Sequence, residues 1–155
     1  MKIAIGCDHG GYDLKEAVRG YLEEHKIEYE DFGTFSAQSV DYPLVAVKVA
    51  NAVAKGKADL GVLTCSTGIG ISIAANKVKG IRASVCTNEL CAQLTRNDNN
   101  SNILCMGGKV VDKENALRIL EAYLNAQFEG GRHGRRVEQI EKIERHPDAD
   151  KLIIC

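Results

Sequence analysis

The stretch ADLGVLTCSTGIG, residues 58–70, passes from an apolar run into a turn made of a thiol, two hydroxyls and two glycines, and a helix-like run, ISIAANKV (71–78), follows it. An apolar run of strand length bounded by glycine fits a strand buried on both faces. The change to helical spacing just beyond the turn fits a crossover helix in a parallel sheet.

The same alternation repeats on either side. KIAIGC (2–7) precedes YDLKEAVRGYLEEH (12–25), whose Leu14, Val18, Tyr21 and Leu22 share one helical face. IEYEDFG (27–33) precedes PLVAVKVANAVAKG (43–56), GIRASVCT (80–87) precedes ELCAQLTRN (89–97), and NILCMGG (102–108) precedes KENALRILEAYLNAQF (113–128). Five strand–helix pairs with short connections predict an α/β fold in which a parallel sheet of near-continuous apolar strands is covered by helices on both faces. After Gly130-Gly131 come a basic cluster, GRHGRR, an amphipathic helix from about 134 to about Arg145, and a tail, 146–155, whose structure the pattern does not specify. The chain of 155 residues reads as a single domain, 1–155.

Lys and Arg number 20 against 21 Asp and Glu, a net charge of -1, so nothing electrostatic points to nucleic acid or an anionic membrane. The first apolar run is too short for a signal peptide and no segment approaches a membrane span, which predicts a cytoplasmic protein. The six cysteines form no CxxC pair and read as reduced thiols; with no HxxxH or clustered carboxylates either, no metal site is expected.

Ligands of open α/β sheets bind at the carboxyl ends of strands, which singles out Cys7-Asp8-His9, Cys65–Gly70 and the loop near Asn97–Asn102. At CSTGIG the glycines let backbone N–H groups approach an anion, and the dipole of the next helix favours negative charge there, on an oxyanion or a thiolate. Taken alone, the same turn also suits an ordinary capped helix, as Asp8-His9 suits a cap before the helix that follows it. The arginines of GRHGRR suit bidentate phosphate binding, or form a solvated face.

Together KIAIGCDHGG, DFGT, DYP, GVLTCSTGIGISIAANKVKGIRASVCTN, NILCMGG and EGGRH..RVEQIEKIE resemble, in order and from Met1 to about Arg145, the type B ribose-5-phosphate isomerases, relatives of the allose- and galactose-6-phosphate isomerases. The resemblance implies a Rossmann-like three-layer α/β/α sandwich with a five-stranded parallel sheet, no cofactor, and a homodimer whose active sites are shared between subunits, with pairing into tetramers left open. It implies interconversion of ribose 5-phosphate and ribulose 5-phosphate through an enediolate, with Cys65 as base and Thr67 and the N–H groups of Ser66, Gly68, Ile69 and Gly70 as anion hole. Asp8 and His9 would contact sugar and phosphate, Tyr42 and Asn99 would seat the substrate, and Arg132 and Arg136 would clamp the phosphate from the partner subunit.

Three positions depart from the family pattern. Asp98 stands where a ring-opening histidine is usual, Ser66 where glycine is usual, and Lys109 where a basic residue is commonly arginine, which keeps the charge and loses the fork. The expectation at Asp98 is intact thiol chemistry with weakened ring opening. A six-carbon phosphate substrate, or phosphosugar binding without turnover, are the alternatives.

Overall fold

The structure, a computed structural model, describes residues 1–146. Its strands β1 (Lys2–Cys7), β2 (Glu28–Asp31), β3 (Leu60–Cys65), β4 (Ala83–Val85) and β5 (Ile103–Gly107) form one parallel sheet in the order β2-β1-β3-β5-β4. Between and after them run α1 (Tyr12–Glu24), α2 (Tyr42–Ala54), α3 (Ile69–Ala75), α4 (Glu89–Asn99), α5 (Lys113–Asn125) and α6 (Gly131–Arg145), with a single 3-10 turn at His9–Gly11. This is the expected Rossmann-like α/β/α sandwich. No helix among the described residues is long and apolar enough to cross a membrane.

Burial follows position in the sheet. Every residue of the central strand β3, LGVLTC, is buried, and so is every residue of β5. The edge strand β2, EYED, alternates exposed and half-buried residues, and edge strand β4 is only half-buried. The expectation of near-continuous apolar strands therefore fails at both edges, where polar side chains also discourage pairing with another chain.

Successive strand residues face opposite layers. Ile3, Ile5, Val62, Leu104 and Met106 pack with Val18, Leu22, Ile119 and Leu120 on one side, while Ala4, Leu63, Cys65, Ile103 and Cys105 pack with Val45, Val49 and Ile71 on the other. Cys65 thus belongs to the α2–α3 side. The chain leaves β1 toward β2 on one side of the sheet and returns to β3 on the other, so strand order reverses between β1 and β3. Loops that diverge at such a point open a crevice at the carboxyl ends.

The C-terminal helix begins earlier than 134. Gly130, at φ 66, turns the chain into it, and the basic cluster forms its first turns instead of a separate knot. Gly-Gly reads as a break in sequence, and here the break lies before Gly131. Val137 is buried, Glu141 lies 3.8 Å from Arg82, and Glu144 accepts the Gly80 N–H at 2.8 Å. The tail beyond His146, with Cys155, lies outside the described residues.

Candidate active site in two halves

Because Cys7 of β1 pairs with Thr64 of β3, the turns that follow these strands lie side by side. The Asp8 N–H donates to Thr64 O at 3.2 Å, and Thr64 Oγ1 donates back to Gly11 O at 2.8 Å. Buried Asp8 accepts the N–H groups of Gly10 (2.8 Å) and Gly11 (3.1 Å) on Oδ1, so it caps the 3-10 turn. Exposed His9 accepts the Val40 N–H on Nδ1 at 3.4 Å, which leaves Nε2 as the ring's donor.

Cys65 ends β3 with 4% of its surface exposed, and its Sγ accepts the Gly68 N–H at 3.1 Å. Only glycine turns the chain this way without strain: Gly68 has φ 79, and a Cβ there would sit 3.0 Å from the backbone of Met106. Exposed Thr67 accepts the Ile69 N–H on Oγ1 at 3.3 Å, while Ile69 is 55% exposed. At Gly70 a Cβ would come within 2.8 Å of the Tyr42 ring, so Tyr42, first residue of α2, lies against the first turn of α3.

Two backbone bonds add the end of β5 to this group. Gly108 N–H donates to Cys65 O at 2.8 Å and Lys109 N–H to Ser66 O at 2.9 Å. Asp8, His9, Tyr42, Ser66, Thr67, Gly68, Ile69, Gly70 and Lys109 are therefore gathered at the carboxyl end of the sheet. A cleft of about 350 Å³, lined by His9, Tyr12, Ala37, Gly108 and Lys113 among others, opens beside them.

Three further thiols are buried. Loss of solvent pushes Cys7 and Cys86 up to about 12 and Cys105 well above the ordinary thiol range, which keeps all three protonated at neutral pH. Among the described cysteines Cys65 is the one whose sulfur receives a backbone N–H, the contact a thiolate wants.

The segment 97–102 is not at this end of the sheet, contrary to the expectation from sequence. Asn102 N–H donates to Arg82 O at 3.1 Å and Asn102 O accepts the Gly61 N–H at 2.8 Å, beside the starts of β4 and β3. The reason is direction: α4 descends from the carboxyl end of β4 to the amino end of β5. The length of β5, about 17 Å for five residues, separates the two ends.

At this amino end Asn100, with φ 47, closes α4, and Arg82 Nε donates to the carbonyls of Asn99 and Asn100, both at 3.1 Å. Asp98 and exposed Asn99 occupy the final turn. The Glu129 N–H donates to Asn97 O at 3.0 Å, which brings in the start of α6 with exposed Arg132 and Arg136 one turn apart. These four residues thus form a second group.

Sequence reasoning passed over His133, which is 7% exposed. Its Nε2 accepts the Arg132 Nε–H at 3.2 Å, its Nδ1 lies 3.6 Å from Asp98 Oδ1, and the Glu129 carboxylate is close by. A guanidinium bonded to the imidazole opposes a cation at this trio. The available signal was spacing: His133 and Val137, one turn apart, share the buried face of α6, while Arg132 and Arg136 share an exposed one.

The sequence model of the Ribose/Galactose Isomerase family matches residues 3–140. Ribose-5-phosphate isomerase B of Escherichia coli (strain K12) is 52% identical over 143 residues, covering 92% of this chain and 96% of that protein. The solved structure of Clostridium thermocellum ribose-5-phosphate isomerase B superposes with a TM-score of 0.93 at 52% identity, covering 94% of this chain and 98% of that one. That of the Mycoplasma genitalium ribose-5-phosphate isomerase B with bound ribulose-5-phosphate gives 0.90 at 38% identity, covering 94% and 97%. With the match running nearly end to end and including both halves of the site, this chain belongs to the ribose/galactose isomerase family.

Proposed function

We propose that the protein interconverts D-ribose 5-phosphate and D-ribulose 5-phosphate, with Cys65 as the base. The observation that carries this reading is the Gly68 N–H held on Cys65 Sγ, at the point where strand order reverses. The names of the relatives supply the substrate.

The chemistry follows from that placement. From the open-chain aldose, the Cys65 thiolate takes the proton on C2 while the C1 carbonyl becomes an enediolate oxygen. The first-turn N–H groups of α3, which have no intrahelical partner, and Thr67 Oγ1 face the developing charge. The thiol then returns the proton to C1, and the proton on O2 passes to the O1 oxyanion as the C2 carbonyl forms. Tyr42, against Gly70, limits the room above the reacting carbons, and Asp8 and His9 hold hydroxyls or phosphate at the rim.

The two halves belong to one site only if a second copy supplies the amino-end half. One chain keeps them at opposite ends of its sheet. Beside the Cys65 half, Leu44 and Val47 of α2 and Ile69 and Ile73 of α3 form an exposed apolar surface that a second copy would cover. A homodimer in which Asn99, Arg132 and Arg136 reach the partner's Cys65 accounts for both observations.

Turnover of ribose 5-phosphate by the wild type and by Cys65→Ala tests the reading. A loss of roughly a thousandfold in kcat, about 4 kcal/mol of barrier, is expected with ribulose 5-phosphate binding retained. Activity in the variant within about tenfold of wild type rules Cys65 out as the base.

A further inference from the structure

A five-carbon aldose 5-phosphate in water is closed into a furanose through O4, and proton transfer between C1 and C2 has to wait until the ring opens. Resting on the isomerase reading above, we propose that Asp98 opens the ring and that His133 is the positioning residue that makes it competent. The family pattern lacks its histidine at position 98, but an imidazole from α6 meets the carboxylate that replaces it.

The Arg132 guanidinium N–H is a permanent donor, so its bond to His133 Nε2 requires a lone pair on that nitrogen. The proton of the neutral ring is then on Nδ1, the atom that faces Asp98 Oδ1 at 3.6 Å. Burial divides the roles: the imidazole is 7% exposed and reaches no sugar, whereas the Asp98 side chain is 37% exposed. Arg82, on the last carbonyls of α4, fixes the backbone that carries Asp98. Glu129, with a carboxylate oxygen within 4.8 Å of both, and Arg132 are charged groups beside the pair.

A carboxylate so held is a bifunctional proton carrier. One oxygen takes the proton from the anomeric O1–H as the C1–O1 double bond forms and the C1–O4 bond breaks, and the carboxyl group gives a proton to O4. No proton is gained or lost overall. The His133 Nδ1–H faces Oδ1 across 3.6 Å, which assigns Oδ2 to the sugar. On this account ring opening is retained by a different pair of residues, and the weakening expected from Asp98 alone does not occur.

Two assays separate ring opening from enolisation. The initial rate from ribose 5-phosphate needs both, whereas exchange of solvent deuterium into C1 of ribulose 5-phosphate, which is acyclic, needs enolisation alone. In His133→Leu and in Asp98→Asn the loss in the first assay is expected to exceed the loss in the second by at least about tenfold. His133→Asn, whose amide nitrogen stands near the place of Nδ1, is expected to recover most of that difference. Equal losses in both assays for Asp98→Asn, a half-exposed position that folding tolerates, or no recovery in His133→Asn, overturn the proposal. A wild-type protein active in neither assay overturns the isomerase reading itself.

Discussion

The carboxyl end of the sheet and its amino end carry the two halves of the candidate site, and they are built by opposite means. At the carboxyl end everything follows from strand termini: Cys65, Asp8 and Lys109 each sit within two residues of a strand, tied by backbone bonds of 2.8–3.2 Å. At the amino end the candidate side chains ride on helices, Asp98 and Asn99 on the last turn of α4 and Arg132 and Arg136 on α6. Reacting atoms need the rigidity of a sheet. In the proposed homodimer, charges that clamp a phosphate from the second copy need reach, which exposed side chains on a docked helix provide.

That contrast can be broken by substitution. The largest effect is expected at Cys65, where alanine removes the base and kcat falls roughly a thousandfold with little change in binding. Arg136→Ala at the other end removes a charge-assisted contact worth about 1.5–3 kcal/mol, so KM is expected to rise about tenfold to a hundredfold while kcat changes less. If Arg136→Ala lowers kcat as much as Cys65→Ala does, the two ends do not divide chemistry from binding. The smallest effects are on stability, measured as the shift in unfolding by urea. Gly68→Ala combines a positive φ with a backbone contact at 3.0 Å and is expected to cost at least about 2 kcal/mol; Gly130→Ala, at φ 66 with open space around it, about 1 kcal/mol. A larger cost at Gly130 would mean that the amino-end half is the tighter of the two.

The two ends also differ in how far the sequence discloses them. The α/β alternation and the Cys65 turn were legible because strand burial and glycine placement are local properties, written in LGVLTC and STGIG. The polar edge strand EYED was not, since its exposure depends on having one neighbour rather than two. The end of the sheet at which Asn97–Asn102 lies is not legible, because a polar loop looks alike before or after a strand, and only its place after a helix and ahead of β5 settles the matter. Gly130-Gly131 concealed the true start of α6. The contact between His133 and Asp98 joins residues 35 apart through the docking of α6 on α4, which no spacing rule foretells.

Mixing two impaired proteins, Cys65→Ala and the double variant Arg132→Ala, Arg136→Ala, at a ribose 5-phosphate concentration well below the KM of the double variant, tests most directly whether one catalytic site is assembled from opposite ends of two chains. After subunit exchange, half of the dimers are hybrids in which one site has both intact halves, so ribose 5-phosphate turnover is expected to rise to about a quarter of the wild-type value. Activity that stays at the sum of the two separate variants would show that each chain completes its own site, and the division described here would be wrong.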